Sequence, residues 1–131
     1  MVVMVSSMRK GNGFTLIELL VAMVIIALLM SIVVPRYFHS ITKAEENVLK
    51  EDLVVMREAL DKFHADNDKY PDTLDELIAR KYLRAIPVDP VTQSNATWRL
   101  IPPGNEEKGA IFDIKSGASG NALDGTPYET W

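Results

Sequence analysis

Cysteine is absent from the 131 residues, which excludes disulfides, thiolate metal centres and thiol nucleophiles. That absence leaves the compartment open, because exported proteins need not use disulfides. Histidine occurs only as His39 and His64, with no partner at metal-ligand spacing, so packing or surface roles are expected of both. No serine–histidine–aspartate set and no phosphate-cradling loop is present. Basic residues are outnumbered, 14 against 18 acidic, for a net charge of −4. There is no basic face interleaved with aromatics of the kind that grips nucleic acid. Catalysis and nucleic-acid binding are therefore not expected. The length left after a membrane segment allows one small domain.

What the chain does have is a long apolar run. Phe14 to Val34 covers 21 residues, interrupted by polar groups only at Thr15, Glu18 and Ser31. As a helix it spans roughly the 30 Å of a bilayer's hydrocarbon core. Glu18 is the anomaly, because an unpaired carboxylate in lipid costs on the order of 2–3 kcal/mol or more. Arg9 and Lys10 stand just before the run, which places that end in the cytoplasm by the positive-inside rule. Residues 1–13 read as a leader, with translation expected to start at Met8. The run is too long for a secretory signal peptide and no Ala-x-Ala site follows it. A plain signal anchor with an incidental Glu18 is one reading, and a functional intramembrane charge is the other.

Pro35 ends the run and favours a kink, but apolar residues continue at Phe38, Ile41, Leu49, Leu53, Met56, Leu60 and Phe63. This is the spacing of one helical face, with Glu45 filling the missing step. Glu46 and Arg57 fall off that stripe, Glu46 in an i,i+4 pair with Lys50. The expectation is one helix from Phe14 to about Asn67, roughly 80 Å long, divided into a membrane and filament-core part, 14–34, and an amphipathic part, 35–67. Asp66 to Pro71 ends it, and residues 68–131 form a small head. Within the head, Thr73 and Glu76 predict a capping box before a short helix. Pro87 and Pro90 predict an extended turn. The segments 97–101 and 110–115 predict a β-hairpin, with Ala110, Phe112 and Ile114 facing the long helix. A glycine-rich tail follows, tied down by Tyr128 and Trp131. The fold class is α+β.

The stretch Gly13-Phe14-Thr15-Leu16-Ile17-Glu18-Leu19-Leu20-Val21 closely resembles the prepilin motif of type IV pilins and type II secretion pseudopilins. It combines a short basic leader, glycine before phenylalanine, a glutamate fifth after that junction, and a proline at Pro35. The resemblance implies that a prepilin peptidase cuts between Gly13 and Phe14 and methylates the new amino terminus. It makes Glu18, with Thr15 and Pro35, the assembly residues, Glu18 pairing with the terminal ammonium of a neighbouring subunit. The Tyr70-Pro71 turn, the helix ending near Tyr82-Leu83 and the segment Ile86-Pro87-Val88-Asp89-Pro90 resemble the G-type major pseudopilin.

From that resemblance follow a function, partners and a location. The chain is expected to be a structural subunit of a type II secretion pseudopilus that drives export of folded proteins. A type IV pilin or minor pilin for adhesion, motility or DNA uptake is the alternative; the small head and missing cysteines weigh against it. Expected partners are the prepilin peptidase, identical subunits in a helical filament, minor pseudopilins, and the inner-membrane platform with its ATPase. Lipid is the partner before assembly. The implied location is the inner membrane, single-pass, with a cytoplasmic amino terminus and a periplasmic head, then a periplasmic filament. The family also binds calcium in its carboxy-terminal loop, where this chain offers Asp113, Ser116, Asn121, the carbonyl of Leu123, and Asp124. Ser119 stands where that loop usually carries a further aspartate. A calcium site and an ordinary glycine-rich turn both remain open readings of this loop.

Overall fold

The computed structural model describes residues 13–131, so residues 1–12 of the expected leader lie outside the described residues. Helix α1 runs Leu16–Asn67, 52 residues without a break. It is followed by α2 (Leu74–Ala79), strands β1 (Arg99–Ile101) and β2 (Asp113–Lys115), and a single 3-10 turn at Tyr128–Thr130. The result is the expected α+β architecture. The chain forms two compact units that meet in sequence between Phe38 and His39.

In the first unit every described residue is exposed. An 18-residue window of α1 has mean hydropathy 3.0 and no buried share, long and apolar enough to cross a membrane. Pro35 lies inside the helix, where its ring nitrogen has no proton for the carbonyl of Ser31. The helix continues through it. Ser31 Oγ donates to the carbonyl of Leu28 at 2.6 Å, a local bond that needs no neighbour.

The second unit is built on the later half of α1. Its buried residues there are Glu46, Leu49, Leu53, Met56, Ala59, Leu60 and Phe63. Except for Ala59, they recur every three or four residues along one face. Phe38 and Ile41 of the expected stripe stay exposed. The buried step before Leu49 is Glu46, not Glu45. Against this stripe pack Leu77, Leu83, Trp98, Ile111, Ile114, Ala118, Ala122 and Tyr128.

Local chemistry sets the element boundaries. Asp68 takes φ 55° and its N–H donates to the carbonyl of His64 at 2.8 Å, a left-handed cap that stops α1. Thr73 Oγ1 accepts from Glu76 N at 3.3 Å. The return arm of this capping box reaches one residue further than expected, Glu76 Oε2 accepting from Asp72 N at 2.9 Å. Trp98 donates its indole N–H to the carbonyl of Pro87 at 2.8 Å, which anchors the proline-bounded turn. Asp89 is fully buried. Its Oδ1 accepts from Val91 N at 2.9 Å, and Ser116 Oγ donates to its other oxygen at 2.5 Å.

The hairpin is antiparallel, with Leu100 opposite Ile114, but only three residues of each strand pair. The inward residues differ from the expected set. Ile111 and Ile114 are buried, whereas Phe112 is 49% exposed and packs edge-on to Tyr70 at 5.4 Å. Residues 110 and 111 both donate to the carbonyl of Pro71 rather than to a strand, so the two-residue alternation does not extend back from Asp113. Gly109 makes the approach to Tyr70 possible. It has φ +107°, and a Cβ there would run into the Tyr70 carbonyl.

Candidate assembly site

The start of α1 brings together two of the expected assembly residues, Thr15 and Glu18, next to the expected cleavage site. Gly13 and Phe14 precede the helix and are exposed. Phe14 is 93% accessible, so the peptide joining them lies open ahead of the hydrogen-bonded turns. Thr15 and Glu18 cap the helix reciprocally. Thr15 Oγ1 accepts from Glu18 N at 3.2 Å, and Thr15 N donates to Glu18 Oε2 at a long 3.4 Å. This is a capping box, and it gives the Glu18 carboxylate one donor from its own chain. A carboxylate near a helix amino terminus is also favoured by the helix dipole. Beside Glu18 the surface is apolar, formed by Ile17, Val21, Ala22 and Ile25. One hydrogen bond leaves most of the acceptor capacity of a carboxylate unused. The arrangement can therefore receive a further donor, above all a cation, on an otherwise greasy face.

Pro35, the third expected assembly residue, is 17 positions further along α1 and is not brought to Glu18. The five expected calcium donors run from Asp113, the first residue of β2, to Asp124 ahead of the 3-10 turn, and the side chains of Asp113, Ser116 and Asp124 have partners. Asp113 Oδ1 accepts from Arg57 Nε at 2.9 Å. Ser116 is buried against Asp89. Asn121 pairs with Pro127 in an isolated bridge. Leu123 N donates to Glu46 Oε1 at 2.8 Å. Asp124 Oδ1 accepts from Thr126 N and Oγ1, at 2.9 and 2.6 Å, and these two bonds hold its carboxyl below the usual carboxylate range.

Two residues of the second unit that were not expected to matter prove central. Glu46 is 7% exposed. Besides Leu123 N, its Oε1 accepts from Tyr128 Oη at 2.9 Å. Burial, with that carboxylate alongside, pushes the Tyr128 hydroxyl up to about 12. Glu46 is therefore not engaged with Lys50, whose ammonium sits 4.5 Å over the Trp131 ring. Arg57, expected on the solvated face, donates to Asp113 and also, through Nη2, to the backbone oxygens of Ile114 at 3.0 Å and Trp131 at 2.8 Å. Counting three back from Leu49 lands on Glu46, so the stripe itself carried that signal. Arg57 had none, because its partners are 56 to 74 positions away.

Comparison with known proteins bears on both units. A family described as "Prokaryotic N-terminal methylation motif" matches residues 8–34. The type II secretion system core protein G of Aeromonas hydrophila is 32% identical, over 94% of this chain and 94% of that protein. Its Klebsiella pneumoniae counterpart is also 32% identical, over 82% of this chain and 86% of the relative. That of Vibrio cholerae is 33% identical, over 86% and 84%. No solved structure matches the chain.

Proposed function

The chain belongs to the family of type II secretion system core protein G, and we propose that its Glu18 is the residue through which it assembles. It is a structural subunit of the pseudopilus, a pseudopilin with a prepilin-type amino terminus. The matched relatives are named as core components of a secretion system, and none carries an enzyme's name. No observation favours the surface-pilin alternative.

The observation that carries the proposal is the Glu18 carboxylate in the capped first turn of a helix whose apolar early part is fully exposed. In our reading, a prepilin peptidase cuts the open Gly13–Phe14 peptide and methylates the new amino terminus at Phe14. The ammonium of one subunit then meets the Glu18 carboxylate of its neighbour. In a low-dielectric bundle the two charges need each other, since stripping one partner from a buried pair costs about 3–5 kcal/mol. The pair thus sets the axial register between subunits, and Thr15 orients the carboxylate until it forms. Before assembly, α1 anchors the subunit in the inner membrane, with residues 1–13 cytoplasmic and the head periplasmic. A platform protein and its ATPase add subunits from that pool, minor pseudopilins join the same filament, and the growing fibre drives folded cargo outward.

The test is a deletion strain complemented in turn by the wild-type chain and by Glu18→Ala. Cargo should collect in the periplasm of the deletion strain. Wild type should restore export, and the variant should insert in the membrane without restoring it. Full export with Glu18→Ala removes the assembly role. Export that never depended on the protein removes the secretion role.

A further inference from the structure

We propose that Glu46 and Arg57 fasten residues 113–131 to α1 in place of a divalent cation, so that the head folds and stays folded without calcium.

Calcium takes six to eight oxygens, several of them carboxylate. Among the described residues no three aspartates, glutamates or histidines converge. Three of the candidate donor side chains, Asp113, Ser116 and Asp124, are also committed elsewhere. Asp113, an anion a metal would need, already has the Arg57 guanidinium at 2.9 Å, and its Oδ1 accepts from Ile114 N at 2.8 Å as well. The Ser116 hydroxyl donates to Asp89 and accepts from Ala118 N at 3.1 Å, which leaves little room for a metal at that oxygen. Leu123 and Asp124 line a surface depression together with Lys43 and Lys50. The positive charge of Lys50 reaches Asp124 and helps hold its carboxyl low. A dication entering there would meet two ammonium groups, and of the two carboxylates that line the depression Glu46 already accepts from Leu123 and Tyr128. The cationic charge that this segment requires is built into the chain.

The same two side chains supply the mechanical role of a bound ion. Arg57 bonds β2 through Asp113 and Ile114, and the end of the segment through Trp131. Glu46 bonds the loop at Leu123 and the 3-10 turn at Tyr128. The two anchors stand eleven residues apart on α1, about 16 Å. A rigid helix thus holds the segment at both ends. Charge-assisted bonds of this kind are the stronger ones, and every buried side-chain nitrogen or oxygen among the described residues has a partner.

The test is thermal unfolding of the full chain in detergent micelles, in about 5 mM calcium, enough to fill a site of millimolar affinity, and again in excess chelator. The two melting temperatures of the wild type should agree within about 1 °C, and Glu46→Gln should melt about 4–8 °C lower in both buffers. Should Glu46→Gln fail to fold, Tyr128→Phe removes one of the two donors and should fall by a smaller, equally calcium-independent amount. Terbium serves as a second probe, with Tyr128 and Trp131 as sensitisers, and saturable emission is not expected. A wild type that loses several degrees in chelator, saturable terbium emission that calcium displaces, or a Tyr128→Phe melt identical to wild type each overturns the proposal. None of these readouts depends on filament assembly, so they stand apart from the fate of Glu18.

Discussion

Replacing Glu18 by glutamine isolates the role of charge at the assembly site. Glutamine keeps the side-chain length and one acceptor oxygen, so the Thr15 N–H that now donates to Glu18 keeps a partner. What disappears is the negative charge. In the membrane this is no loss, because a carboxylate in hydrocarbon costs on the order of 2–3 kcal/mol, and the variant should insert at least as well as the wild type. In the filament, if the proposed pair forms, Glu18→Gln strands the neighbouring ammonium, at about 3–5 kcal/mol. That is roughly two to nearly four powers of ten in the incorporation equilibrium. The assay is competition: tagged variant and wild type are co-expressed at equal membrane levels, and their ratio is read in purified filaments. Thr15→Ala is the control, losing only the cap, about 1 kcal/mol. It should be depleted far less than Glu18→Gln. Incorporation of Glu18→Gln within about threefold of wild type, under 1 kcal/mol, refutes the ion pair. Stronger depletion of Thr15→Ala than of Glu18→Gln assigns the site to helix capping instead.

Three further outcomes follow from the second unit. Leu60→Ala opens a cavity in the fully packed stripe of α1 and should cost about 2–5 kcal/mol in denaturant unfolding. Gly109→Ala places a methyl against the Tyr70 carbonyl at φ +107°; it should cost more than the ~1 kcal/mol typical of a backbone substitution, and wild-type stability would mean that the 102–110 loop approaches less closely. The Tyr128 hydroxyl is raised to about 12, whereas an unfolded tyrosine titrates near 10. The unfolded state therefore releases its proton first, so this contribution is complete below pH ~10 and is lost as pH rises toward 12. Alkaline melts should fall through that window, and Tyr128→Phe should flatten the fall.

Features whose partners lie within a turn or two were legible in the sequence. The Gly13–Glu18 motif, the span of α1 and the Thr73 cap depend on residues three or four apart, where pattern and geometry coincide. Glu46 was legible only in part: position 45 fits the four-residue steps from Ile41 and to Leu49, position 46 the three-residue step to Leu49, and because Ile41 stays exposed the buried step is Glu46. The inward face of the hairpin was misassigned because Ala110 to Phe112 is held by Pro71 and Ile101, contacts that no local alternation encodes. Arg57 was beyond reach. Nothing near it distinguishes a guanidinium bound to β2 from one in water. The pairing with Asp113 exists only once the fold brings position 57 to position 113.

The return of the last segment to α1 has a consequence for the order of events in the life of the chain. Tyr128 meets Glu46 across 82 positions and Trp131 meets Arg57 across 74. Contacts of such sequence separation are won late, after the entropy of closing a long loop has been overcome. The head therefore completes its packing only once residues 123–131 have returned to α1. Until then Leu77, Leu83, Trp98, Ile111 and Ile114 can cover the apolar stripe of α1, but Glu46 lacks both of its donors. A chain truncated before residue 123 therefore lacks both groups that donate to Glu46 and leaves a buried carboxylate without those partners.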